Sequence, residues 1–166
     1  MAGGTTDSAA VIERLRNALD CSLAGLWDFD LAEGRLSFDA RAAALVESPD
    51  SHQPPSTLAA LELLMHPQDL ERWRPRWREH LAGHSERLDA EFRISRGVGR
   101  WAWVAWRGRV LARDAQQAPL SLGGVVMDIH QHKQAEEQLE LMAQRDPLTE
   151  LPNRALLADR LEHALA

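Results

Sequence analysis

At 166 residues, with 45% hydrophobic and 27% charged side chains, the chain can bury one ordinary core with room for flanking segments. A formal net charge of -6 at pH 7 argues against nucleic acid or an anionic membrane as the main partner, because phosphate binding needs Lys and Arg concentrated on one face. The single cysteine, Cys21, excludes an intramolecular disulfide; no secretion signal opens the chain, and no stretch reaches the roughly 18 apolar residues that cross a bilayer, so the expected location is the cytoplasm, with a membrane segment elsewhere in a longer parent left open.

Residues 8–23 place Val11, Ile12, Leu15, Ala18 and Leu19 at helical spacing, with Glu13, Arg14 and Arg16 turned away, which predicts an amphipathic N-terminal helix. In GLWDFDLAEGRLSFD, Trp27, Phe29 and Leu31 alternate with Asp28 and Asp30. Glu33-Gly34 then marks a turn and Leu36 and Phe38 resume the alternation, which predicts a hairpin. ARAAALVES reads as a short helix and SPDSHQPPS as a loop.

TLAALELLMHPQDLERWRPRWREHLAGH carries the longest helical signal. His66-Pro67 opens a new helix, Pro67 suits its first turn and Asp69 suits the positive end of its dipole. Leu70, Trp73, Trp77 and Leu81 form the buried stripe, His80 is read as solvated, Pro75 is expected to kink or loosen the middle, and Gly83 to end the helix. The arginines of ERWRPRWRE read as a solvated face whose stems cover apolar surface, or as an anion site.

Three strands follow. RLDAEFRIS alternates Leu88, Ala90, Phe92 and Ile94 against Asp89, Glu91 and Arg93. In WAWVAWRGRVL the uncharged set Ala102, Val104, Trp106, Gly108 and Val110 is expected to face the core, whereas Trp101, Trp103 and Ala105 share their parity with Arg107 and Arg109. In LSLGGVVMDI, Gly124 and Val126 share one face, with Gly123, Val125 and Met127 on the other. Beyond Asp128 the period returns to that of a helix, and Ala135, Leu139 and Met142 step as a short coiled-coil seam does, or else belong to a solvated connector. The predicted class is α+β: a five-stranded antiparallel sheet with its helices on one face, flanked by an N-terminal amphipathic helix and a C-terminal linker helix.

GLWDFDLAEGRLSF, HPQDLERW, EFRIS followed by RWAWVAWRGRV, and GGVVMDIHQHKQAEEQL together resemble the PAS sensor family of bacterial signalling proteins, in the family's order over residues 24 to 139. His130 stands where many relatives carry Thr or Ser. Further on, Asp146, Leu148, Thr149, Leu151, Pro152, Asn153 and Arg154 of DPLTELPNR resemble the entry motif of the GGDEF diguanylate cyclases, with Glu150 where Gly is frequent. The apolar stripe of residues 1–23 suggests a capping or dimerisation helix, and the resemblance implies 24–130 as the PAS domain, 131–145 as a signalling linker and 146–166 as the start of a cyclase cut before its metal-binding carboxylates. The expected partners are a second copy of the chain and the downstream cyclase, and no catalysis is expected from this stretch itself.

A sensor of this kind can hold a small molecule between sheet and helices, and Trp27, Trp73, Trp77, Phe92, Ile94, Val104, Trp106 and Val126 would line that interior. A non-covalent flavin or another planar ligand is one reading; tryptophans filling a core that lacks tyrosine is the other. Haem ligated by His80 or His84 is disfavoured because His80 is taken to lie off the stripe, and Cys21 lies outside the motif of the covalent flavin photosensors. No metal-binding motif occurs. Asp128, Ile129 and His130 are expected to pass a change in the sheet to the linker, and Val11, Leu15, Leu19, Trp101, Trp103 and Met127 to form a capping or dimer surface.

Overall fold

The structure, a computed structural model, describes residues 10–144 apart from 12, 15, 16 and 20, and of residues 141–144 the backbone alone. The described residues between 10 and 22 are helical. The alternating hairpin then forms β1 (Gly25–Asp30) and β2 (Arg35–Phe38). Its turn is held by the Asp30 carboxylate, which accepts from the amides of Ala32 and Glu33 at 2.9 and 3.0 Å, and by Gly34 at φ 63°.

Each short helix that follows begins where its sequence supplies a cap. Asp39 accepts from the Ala42 amide at 2.7 Å and starts α1 (Ala40–Val46); Thr57 accepts from the Ala60 amide at 3.2 Å and starts α2 (Leu58–Leu64). His66 caps α3 (Pro67–Leu81) through Nδ1, which accepts from the Gln68 amide at 3.3 Å. The helix continues through Pro75 on its exposed side, where water can serve the Glu71 carbonyl that proline leaves without a donor. It ends as expected at Gly83, φ 83°, with the Gly83 amide donating to His80 O and the His84 amide to Glu79 O, a Schellman turn.

β3 (Leu88–Ser95), β4 (Trp101–Arg113) and β5 (Pro119–Asp128) complete one antiparallel sheet in the order β2-β1-β5-β4-β3. Its inward residues share a core with Ala42 and Val46 of α1, Leu61 of α2, and Trp73 and Trp77 of α3, so the three helices lie on one face. At the centre Gly108 pairs with Gly124, and both must be glycine for space: a Cβ at 108 would overlap the Trp27 ring, and one at 124 the Arg107 carbonyl.

His80 departs from its expected solvated place: it is 1% exposed, and its Nδ1–H donates to the Ser85 carbonyl at 3.0 Å. Position 80 lies one helical step past Trp77 and two turns past Trp73, so it borders the buried stripe, and the Schellman turn folds Ser85 back to meet it.

The described residues divide into two compact units between Ile129 and His130. The second begins with α4 (His130–Gln144), one residue ahead of the expected start. Within it Glu136 meets His132 at 3.2 Å and Lys133 at 3.1 Å, and the Lys133 hydrogen bond holds the Glu136 carboxyl below its ordinary pKa. Leu139 of the expected seam is 66% exposed. Leu15, the Met142 side chain and the segment 146–154 lie outside the described residues.

Candidate functional site

The rings expected to converge do converge. Trp27 on β1 stacks on Trp106 of β4 with centroids 4.7 Å apart, and Trp73 stacks on Trp77 one turn along α3 at 5.3 Å. Phe92 of β3 meets Trp73 edge-on at 5.4 Å and Trp73 meets Trp106 at 6.2 Å, so the two stacks form one cluster. Ile94, Val104 and Val126 are buried in the same core. The rings touch one another across the space that a planar ligand would need, so the residues present do not fit a flavin or haem plane without displacement.

The polar atoms of this interior are unevenly served. Trp27 Nε1–H donates to the Val125 carbonyl at 3.2 Å. Trp73 Nε1, Trp106 Nε1 and His80 Nε2 are buried with no partner among the described residues. Leaving a buried donor or acceptor unmet costs about 1–3 kcal/mol, so the two indole N–H groups are places where a water or a small acceptor would be stabilised, and His80 Nε2, the acceptor when Nδ1 carries the proton, a place for a water or a small donor. No cluster of three metal-ligating side chains occurs among the described residues.

A second, charged arrangement ties α3 to the edge strand of the sheet. Asp69, in the first turn of α3, accepts from Arg93 three times: from the backbone N–H at 2.9 Å, from Nε at 2.8 Å and from Nη2 at 2.9 Å. The His66 amide donates to Arg93 O at 2.9 Å, so the helix entry covers the free edge of β3. Burial pushes the Asp69 carboxyl up, but the Arg93 side-chain and backbone hydrogen bonds, with the charges of Arg93 and His66, pull it further down, and it stays below its ordinary value. The hydrogen bond to Asp69 in turn raises Arg93.

The Arg93 guanidinium also lies 5.2 Å from the ring centroid of Trp103, a cation–π contact. Trp103 O accepts from the Ile129 amide at 3.0 Å, at the point where the chain leaves the sheet. Sequence patterns point to Trp103 and Ile129 but not to Asp69 and Arg93, which read there only as a dipole residue and an alternating polar position.

The remaining candidates are distributed as follows. Trp101 is half-buried and meets His66 edge-on at 4.8 Å; Met127 is half-buried on the same outer face. Asp128 is exposed at the end of β5 opposite Val104, and His130 opens α4. Val11 is 47% exposed and Leu19 half-buried. The outer face has one further member that the sequence did not single out, Leu26, partly exposed beside Val125; Ala105, placed on this face by its parity, is buried next to Met127 in the register.

The arginines of α3 behave as a solvated face. Arg74 makes a forked contact with Glu62 at 2.7 and 3.1 Å, and Arg76 donates to Asp89 O at 3.3 Å. No helix among the described residues is long and apolar enough to cross a membrane.

Comparison with known proteins agrees with this architecture. The PAS fold family matches residues 50–126. A Pseudomonas chlororaphis protein described as uncharacterized is 37% identical over 86 residues, 49% of this chain, and the match spans 32% of that protein's length. Among solved structures, the sensory box histidine kinase/response regulator of Burkholderia thailandensis superposes with a TM-score of 0.65 at 24% identity, over 78% of this chain and 95% of that one. The N-terminal domain of a diguanylate cyclase with PAS/PAC sensor from Marinobacter aquaeolei gives 0.52 at 22% identity, over 66% and 98%. The strand order, the helices gathered on one face and the family match over residues 50–126 agree on a PAS-like fold.

Proposed function

We propose that this PAS domain is the sensory and dimerisation module of a longer protein, in which it regulates a diguanylate cyclase beginning at residue 146 through the linker helix α4. The observation that carries the reading is the motif DPLTELPNR at residues 146–154, directly after a helix that starts where the chain leaves the sheet at Ile129. Cyclic di-GMP formation joins two GTP molecules held by two cyclase domains, so the spacing and rotation of two linker helices is enough to set the rate.

Asp128, Ile129 and His130 are the transmission segment in this reading. The path from α3 through Asp69, Arg93 and Trp103 to the Ile129 amide supports it, because the same helix carries Trp73 and Trp77 in the interior. The exposed Leu139, with Ala135 and Met142, is the seam available to a second copy. Trp101, Trp103 and Met127, with Val11, Leu15 and Leu19 of the N-terminal helix, form the capping or dimer surface, and the protein works in the cytoplasm.

The close packing of Trp27 on Trp106 favours one variant of this function: a PAS module that dimerises without a resident ligand. Native mass measurement and an absorption spectrum of protein purified from its own host distinguish the variants, since a bound planar molecule adds mass and a chromophore band. The function itself is tested by incubating GTP with the 166-residue chain and with the full-length protein. Product from the full-length protein alone is expected; product from the short chain, or from neither, overturns the reading.

A further inference from the structure

The outer face of the sheet changes character along β4. Past the apolar end at Trp101, Trp103 and Ala105, the same parity brings Arg107 and Arg109 to the surface, both exposed. β3 starts beside them, with Leu88 opposite Gly108 and Asp89 opposite Arg107, which carries Arg87 alongside. On the other side Arg109 faces Gly123 of β5, which has no side chain to screen it. The result is a hollow of about 440 Å³ whose charged lining is Arg87, Asp89, Arg107 and Arg109 over backbone at Gly108 and Gly123.

The charges in this hollow do not balance. Asp89 answers only Arg107, at 3.4 Å, and with the two side chains 63% and 52% exposed the pair is weak. Arg87 and Arg109 make no hydrogen bond or ion pair among the described residues. The other acids nearby are Asp28, beside Gly123, Glu91, two residues along β3 on the same face as Asp89, and Glu86, which lines the adjoining cleft of about 530 Å³ that shares Arg109 and adds Arg113. Arg113 donates to Gln117 O at 2.8 Å. Like charges on neighbouring positions of a sheet repel. Here they gather on one patch of a chain whose net charge is -6, and among the described residues Arg87 and Arg109 have no partner.

We propose that this hollow is a binding site for a phosphate group. Each guanidinium presents a planar fork of donors. A carboxylate carries one charge, which a single arginine balances. A phosphate group has at least three terminal oxygens and close to two negative charges at neutral pH, and can engage Arg87, Arg107 and Arg109 together. Free phosphate and the phosphate of a small metabolite share this chemistry. The inference stands apart from the cyclase reading, because it concerns the PAS sheet alone.

The test is a titration of the intact chain, observed through its backbone amide signals in NMR at constant ionic strength, with inorganic phosphate, adenosine monophosphate, acetate and chloride. Saturable shifts at Gly108, Gly123 and Gly124 are expected with phosphate and not with acetate or chloride, and binding at least tenfold weaker in Arg109→Gln. That residue is exposed, so its variant should keep the wild-type spectrum elsewhere. Tighter binding of adenosine monophosphate identifies a metabolite's phosphate as the ligand, and binding of inorganic phosphate alone identifies the free ion. Shifts that acetate or chloride reproduce, shifts that never saturate, or undiminished binding in both Arg109→Gln and Arg87→Gln overturn the proposal.

Discussion

Trp106 and Trp103 stand on the same strand and end in opposite surroundings. Trp106 is 1% exposed, stacked on Trp27 and edged by Trp73 and Phe38, so its ring is packed among other aromatic rings. Trp103 is half-buried on the outer face, and its ring meets the guanidinium of Arg93. Inward, the sheet solves a volume problem, in which glycine at 108 makes room for the Trp27 indole and glycine at 124 for the backbone of the neighbouring strand. Outward, it offers a partly covered surface whose contacts are ionic at the edge and whose backbone meets the exit of the chain. Stability should therefore reside on the inner face, and association and signalling on the outer one.

The sharpest way to break this contrast is to truncate each tryptophan. Trp106→Ala should cost about 3–5 kcal/mol in urea unfolding, as loss of a large ring from a packed core does. Trp103→Ala should cost about 1 kcal/mol, mostly the cation–π contact, and show its effect in sedimentation instead. The reverse ranking would mean that the two faces have been assigned the wrong way round.

Next in size is the pair that joins the faces. Asp69→Ala removes three hydrogen bonds to Arg93 and leaves the edge amide of β3 without its partner, so a loss of about 2–3 kcal/mol is expected. Its acid dependence follows from the lowered Asp69 pKa. A carboxyl whose folded pKa lies below its unfolded value of about 4 stabilises fully above that value, and the contribution fades as pH falls through the folded pKa. The stability of the wild type should thus fall more steeply than that of Asp69→Asn as pH drops from about 5 towards 3. Parallel pH profiles would remove Asp69 as the cause.

The smallest expected effect on stability sharpens the contrast from the other unit. Leu139→Asp on the exposed side of α4 should change unfolding by no more than about 0.5 kcal/mol while weakening self-association of the chain. If sedimentation is unchanged, the seam of α4 does not pair.

Strand parity was legible because charge breaks the alternation: Arg107 and Arg109 mark the outer set of β4, and the inner set carries no charge at all. Caps and turns were legible for the same local reason, since Pro67, Gly34 and Gly83 act within one turn of chain. Two things were not. His80 escapes a stripe drawn through four apolar residues alone, although the helical period places it next to Trp77; its polarity argues for solvent, and the Ser85 carbonyl, which only the folded turn brings within reach, lets it be buried. The Asp69–Arg93 pair joins a helix entry to an edge strand, and the register that brings them together is a property of the whole sheet, carried by no local pattern. Ala105 is a milder case: a small residue on the polar-parity face becomes buried because its neighbours are large.

The central claim is that this PAS-like domain acts on a cyclase by the geometry of α4. The most direct measurement is the rate of cyclic di-GMP formation by full-length variants in which two residues or a whole heptad are inserted after Gln138. Two residues rotate the downstream domains by about 200°, to the opposite side of the helix, and a whole heptad restores their phase. The account predicts that the two-residue insertion changes the rate several-fold and that the whole-heptad insertion returns it close to that of the wild type. Equal rates in all three proteins, or no product from any of them, would contradict it.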